Sequence, residues 1–183
     1  MSKILYGISK AYYALATVSG STVTYGTPVA LPGAVNLSID AEGELTPFYA
    51  DNITYWEGSS NNGYSCELEM AMIPQSFYTD CLGFTTDNNG VLVEDASAQP
   101  KEFAFLFQVE TDADAKRVAF YFCKATRPSS EHGTVEDTIE PGTEKINFNA
   151  RPRVTDAYVK VSAANSASTG YSTWFSSVYS VTT

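Results

Sequence analysis

The chain has 183 residues, 44% hydrophobic and only 17% charged, a size and balance that suit one domain with a substantial core. That composition excludes a disordered chain, which needs low hydrophobicity and dense charge. No apolar run approaches the roughly 18 to 20 residues that cross a bilayer as a helix, so no integral membrane helix is expected.

Aromatic residues reach 13%, led by 12 Tyr and 10 Phe, which favours strands over helices. The net charge of −10 is unevenly spread. Residues 1–100 carry −9 and residues 101–183 carry −1, with no basic residue between Lys10 and Lys101. Such a field repels phosphate and argues against binding nucleic acid through its backbone. Cys66, Cys81 and Cys123 form an odd set without CxxC spacing. Cys66 and Cys123 lie in strand patterns, where a thiol serves as a small buried hydrophobe. The only histidine, His132, falls in a polar loop and offers no basis for a zinc site. Lys3 precedes an apolar stretch ending Ala14-Leu15-Ala16, but Lys10, Tyr6, Tyr12 and Tyr13 interrupt any signal core. Residues 1–18 are therefore expected to be mature protein, made in the cytoplasm.

In chain order, 11–18 and 21–25 flank Ser19-Gly20 as a hairpin, and Leu31-Pro32-Gly33 marks a turn. Residues 35–39 alternate, with Val35, Leu37 and Ile39 on one face. Asp40 to Gly63 reads as an acidic loop interrupted by Phe48, Tyr49, Ile53, Tyr55 and Trp56. In 65–73, Cys66, Leu68, Met70 and Met72 share a face opposite Glu67, Glu69 and Ala71. Pro74 and Gly83 bracket a short helix that turns Phe77, Cys81 and Leu82 inward. A strand at 91–94 follows the Asn88-Asn89-Gly90 turn.

The longest strands are expected at 102–110 and 117–124. Phe103, Phe105, Phe107 and Val109 alternate with Ala104, Leu106 and Gln108, so both faces are largely apolar. Such a strand is covered on both sides or lies at an interface. A polar loop spans 128–143, with one helical turn near Val135-Glu136-Asp137, and strands follow at 144–150 and 157–161. From Ser162 the composition turns to Ser, Ala and Thr with Tyr171, Trp174, Phe175, Val178 and Tyr179. Residues 1–161 thus form a β domain, and 162–183 an extension that packs on its own domain or docks on a neighbour.

Parts for catalysis are few. GxSxG, P-loop, GxGxxG and HExxH patterns are absent. Glu67 and Glu69, two apart on one strand face, read as a solvated face rather than a glycosidase pair. Asp112 and Asp114 read as a hairpin tip, because the remaining calcium ligands and the turn glycine are missing. Arg117, Arg127, Arg151 and Arg153 suit ion pairs or subunit contacts. No enzyme, cofactor or metal is expected.

Several ordered blocks carry a resemblance. They begin with Tyr25-Gly26, Pro28-Val29 and Leu31-Pro32-Gly33-Ala34-Val35, then Thr46-Pro47-Phe48-Tyr49-Ala50-Asp51-Asn52 and Ser60-Asn61-Asn62-Gly63-Tyr64. Leu68-Glu69, Ile73-Pro74 with Phe77, and Gly90-Val91-Leu92-Val93-Glu94-Asp95 follow. Gln99-Pro100-Lys101-Glu102-Phe103-Ala104 and Ala125-Thr126-Arg127-Pro128 complete the set. In their order and spacing, from about residue 5 to 161, the chain resembles the phi13-type major tail (tail tube) proteins of long-tailed, non-contractile bacteriophages.

The resemblance implies a mainly β, sandwich or barrel-like tail-tube fold with one short flanking helix and long loops. It further implies hexameric rings stacked into a virion tail tube assembled in the host cytoplasm, through which DNA passes without specific binding. Tape measure, tail terminator and distal tail proteins are the implied partners, with no membrane. On that expectation Asp40, Glu42, Glu44, Glu67 and Glu69 are candidate lumen acids. Phe48, Tyr49, Tyr55, Trp56, Trp174 and Phe175 are candidate inter-subunit contacts. A carbohydrate-binding β-sandwich, suggested by the aromatic tail, is the alternative, and a paired-carboxylate hydrolase a further rival.

Overall fold

The computed structural model describes residues 4–131, 133–134 and 141–181. His132 and the helical turn expected at Val135–Asp137 lie outside them. The elements run β1 (Leu5–Ser19), β2 (Thr22–Tyr25), β3 (Val29–Leu31), β4 (Ala34–Glu42), β5 (Leu45–Ala50), β6 (Ile53–Ser59), β7 (Gly63–Met70) and α1 (Gln75–Cys81). Then come β8 (Thr85–Thr86), β9 (Leu92–Val93), β10 (Glu102–Thr111), β11 (Lys116–Ala125), β12 (Ser129–Ser130), β13 (Glu144–Ala150) and β14 (Lys160–Ala163). The chain is mainly β, as its aromatic and alternating segments predict, with one short helix among the described residues.

One large antiparallel sheet runs β2-β1-β10-β11-β13-β7-β4, with β3 added to β1, β14 to β11 and β12 to β13. The pairs β5–β6 and β8–β9 stand apart from it. Among the described residues no ladder closes the sheet into a barrel. Two cores pack on its two faces in a sandwich-like arrangement.

The first core holds Tyr13, Phe103, Phe105, Phe107, Phe120 and Phe148, joined by Cys66, Leu68 and Met70. Helix α1 follows Pro74, whose φ of −61° suits a helix start, and buries Phe77 and Cys81. The Phe77 ring meets Tyr13 and Phe103 edge-on at 5.4 and 5.6 Å. The Tyr13 hydroxyl donates to Asp80 Oδ2 at 2.8 Å, so the helix is also held by a polar bond. The three cysteines are free and buried here. Burial pushes the Cys66 thiol up to about 12.

Two bulges set which side chain faces which core. Lys10 takes φ +53°, and the β1–β10 register shifts between Ser9 and Ala11. Ile8 therefore faces the first core, and so do Ala11, Tyr13 and Leu15 beyond the slip. A second shift between the Phe103 and Phe105 pairings puts Val118, Phe120 and Cys123 on the first face, and Ala119 and Tyr121 on the second.

The second core answers the alternative left open for the tail. Residues 164–181 have no strand or helix, yet they cover the far face of β1, β10 and β11. Trp174 is 2% exposed and Val178 is buried beside it, over Ala14, Ala104, Leu106, Ala119 and Tyr121. The doubly apolar strand β10 is thus covered on both sides within one chain.

Three local expectations change. The segment 40–63 is a β ribbon rather than a loop, as described below. Met72 is 72% exposed, because β7 ends at Met70 and the alternation stops there. The last strand starts at Lys160 instead of residue 157, since Ala157 takes φ +61° in a turn closed by its N–H on Arg153 O.

Candidate functional site

The ribbon that β4 and β7 begin does not stop at the sheet. Asn62 N donates to Glu42 O at 2.8 Å and Ser60 N to Glu44 O at 3.0 Å, so the ladder runs on into β5 and β6. Gly43 sits at this root, where a Cβ would lie 2.1 Å from Ser60 O; only glycine fits. The tip is a two-residue turn, Asp51 and Asn52, with φ of +51° and +61° between paired Ala50 and Ile53. That is the backbone of the tight hairpin turn whose twist suits two strands.

The outer arm stands clear of the body. Every residue of β5 and β6 is exposed except Ala50 and Gly58, which are half-buried. Leu45, Phe48, Tyr49, Ile53, Tyr55 and Trp56 are each at least 60% exposed. Phe48 faces Trp56 across the ladder, and the register shift between Phe48 and Tyr49 leaves Tyr55 as the extra residue. The Trp56 ring lies back over Gly58, where a Cβ would come within 2.2 Å of it. At the arm's root an open hollow of about 330 Å³ is lined by Glu42, Glu44, Leu45, Ser59 and Tyr64.

Four of the five candidate lumen acids share one sheet face. Pairing sets Ser38 beside Glu67, Asn36 beside Glu69, Asp40 beside Ser65 and Glu42 beside Gly63, all opposite Leu68 and Cys66. Glu44 lies apart, at the root of the arm, with its N–H on Ser60 Oγ. The same face continues through Lys145, Asn147 and Asn149 of β13 to Lys124 and Glu102. It carries five carboxylates against two ammonium groups. Lys145 Nζ reaches Glu67 at 2.8 Å and Thr143 donates to Glu69 at 2.7 Å. These two glutamates are thus ion-paired and hydrogen-bonded along one strand face.

The remaining candidates are accounted for by local partners. Arg127 pairs with Glu94 and Arg151 with Glu102. Arg153 pairs with Asp156, whose carboxyl it holds below the usual range, and lies 4.5 Å from the Tyr121 ring. Asp114 accepts from the Ser166 hydroxyl at 2.8 Å. Trp174 is spent on its own sheet, and Phe175 lies 4.8 Å from Tyr12. Of the two placements left open for the tail, its aromatics take the one on their own domain. Among the described residues no three His, Cys, Asp or Glu side chains gather as a metal site, and no helix is long and apolar enough to cross a membrane.

Sequence reasoning missed a polar chain beneath the tail. Ser9 Oγ donates to Glu110, Gln108 Nε2 donates to the same Glu110 oxygen at 2.8 Å, and Arg117 Nε donates to Gln108 at 2.9 Å. These bonds hold the Glu110 carboxyl below its ordinary range. Arg117 also donates to Tyr171 O and stacks 3.7 Å from the Tyr171 ring. Only Gln108, a polar residue amid apolar alternation, hinted at this.

Among the described residues the sheet order ends at β2 and β4, which pair only with β1 and β7, and β14 pairs only with β11.

No family model matches the chain, and no curated protein matches it. Among solved structures it is similar to one described as the structure of a type six secretion system protein, at 13% identity and a TM-score of 0.40. That likeness covers 83% of this chain and 91% of the other.

Proposed function

We propose that the chain is the subunit of a self-assembling tube, the major tail protein of a long-tailed, non-contractile phage. Hexameric rings would stack into a virion tail tube in the host cytoplasm, with tape measure, terminator and distal tail proteins at its ends. The projecting arm carries this reading. Six large apolar side chains held in water suit a contact with a neighbouring subunit, and together they expose several hundred Å². A standard stable interface buries about 800 Å² per partner, an area of the same order. The unpaired outer sides of β2 and β14 would add further contacts. Pairing such edges between neighbours also removes a template for aggregation.

The acid-rich face of β4 and β7 supports a channel-lining role. Lining of that sign repels the DNA backbone, so the molecule slides without releasing counterions or pausing on ion pairs. Catalysis has no part in the proposal.

Negative-stain electron microscopy of the purified chain over a range of concentrations, beside its solution mass, tests it. Rings or hollow tubes are expected, and the Phe48→Ser, Tyr55→Ser double variant should stay a folded monomer. A wild-type chain that remains monomeric, together with its absence from virion tails probed by antibody, would overturn the proposal.

A further inference from the structure

The tail segment behaves as a ligand attached to its own receptor. Among the described residues, the backbone-to-backbone hydrogen bonds of 164–181 stay inside the segment: Tyr171 N on Ser168 O, Trp174 N on Tyr171 O, Ser176 and Ser177 N on Thr173 O. It adds no rung to the sheet. Every bond that holds it to the sheet involves a side chain: Trp174 and Val178 sit on a shallow floor of Ala14, Ala104, Ala119 and Ala163, Trp174 Nε1 donates to Val118 O, Arg117 clasps Tyr171, and Asp114 accepts from Ser166 N–H and Oγ. The Tyr121 hydroxyl, from the sheet, donates to Tyr179 O at 2.8 Å. Such a segment can leave its trough with its local turns intact and without breaking a single strand pairing.

Its root lies at an open edge. The segment leaves from Ala163, the last residue of β14, whose outer side no strand covers among the described residues. Residues 164–170, Ala-Asn-Ser-Ala-Ser-Thr-Gly, form a linker of small polar residues that can extend about 23 Å. A second copy paired at that edge therefore offers the same trough within reach, at a high effective concentration.

From these features we infer that residues 171–181 are an exchangeable strap, which docks in the alanine-floored trough of a second copy when subunits associate. Every contact made within one chain is remade between two, so exchange costs little and ties neighbours together. The inference rests on the strap and its trough, and does not require a tube.

The test uses the full chain with a photoreactive benzoylphenylalanine in place of Phe175, whose ring faces Tyr12. Light and nitrogen-15-labelled chains are mixed in equal amounts while dilute, concentrated until they associate, irradiated, digested and analysed by mass spectrometry. Random exchange gives about half of the strap-to-sheet cross-links between unlike isotopes. Cross-links only between like isotopes overturn the inference, whether the chain stays monomeric or associates with straps in place. Should the substituted ring disturb docking, isotope-filtered contacts between Trp174 and the Ala104 and Ala119 methyls report the same exchange in unmodified chains. Tubes with like-isotope links only would sink exchange and leave the tail-tube reading standing. Unlike links in small oligomers without tubes would do the reverse.

Discussion

Replacing Trp174 with alanine separates a tail that is part of the fold from one that merely rests on it. The indole is 2% exposed, stacks on Tyr179 at 5.7 Å with a 16° tilt, and hydrogen-bonds to Val118 O. Burying about 200 Å² of aromatic surface is worth about 5 kcal/mol at 25 cal/mol per Å². Ordering the strap opposes part of that gain. Core truncations of this kind cost about 3–5 kcal/mol, and here the strap can lift away instead of leaving a cavity, which favours the lower end. In a domain of this size, about 3 kcal/mol lowers the melting temperature by about 6–12 °C. Circular dichroism melts of both chains measure it. The chain has two tryptophans, and Trp56 is 60% exposed. In a Trp56→Phe background the emission of Trp174 should therefore be blue-shifted until the melt. A fall of less than about 2 °C, or solvent-like emission from native Trp174, would refute the reasoning.

Further outcomes follow from other positions. Gly63 holds φ +103°, and a Cβ there would lie 1.9 Å from Ala150 O, so Gly63→Ala should cost at least about 2 kcal/mol in a urea titration. Cys66 and Tyr121 are pushed by burial from 9.0 and 10.0 up to about 12 each. Their neutral forms favour the fold at pH values below the unfolded pKa values; above about pH 9 the unfolded chain ionises first, so the urea midpoint should fall from about pH 9 up to about pH 12. If the proposed tube forms and these two acids line it, Glu67→Lys with Glu69→Lys should leave tubes assembling yet slow DNA ejection; unchanged ejection removes both from the proposed lining. The buried thiols should resist an aromatic disulfide reagent in the native chain and react together on unfolding, whereas rapid native labelling would contradict their burial.

What the sequence disclosed follows from where each signal originates. Strands β10 and β11 were legible because both of their faces are buried, leaving near-continuous apolar runs. Helix α1 was legible from Pro74 and Gly83. The bulges were not, because one residue of slip at Lys10 flips parity without changing composition. The arm escaped notice for the opposite reason. None of its large apolar side chains is buried, so no alternation between a wet and a dry face marks β5 and β6. The pair Asp51-Asn52 between short apolar runs was the available clue, since both residues tolerate a left-handed turn. Composition flagged the tail, but only the geometry shows that Trp174 closes its own sheet. Of the candidate acids, pairing brings Asp40, Glu42, Glu67 and Glu69 together across β4 and β7, two strands whose alignment no single-strand pattern reveals.

The order of the strands has a consequence for synthesis. Strand β1 is made well before its long partner, which pairs Leu15 with Phe103 and Leu5 with Thr111. Strand β7 likewise waits for β13. The segment that seals the second face is made after all three strands that it covers. A nascent chain therefore emerges with apolar strands that have nothing to pair with, and folding by such distant pairings is slow. While residues 171–179 are still inside the ribosome, Leu106 and Tyr121 remain uncovered, a surface that attracts holding chaperones or other nascent chains. A premature stop shortly after Ala163 therefore yields a sticky, half-dressed sheet.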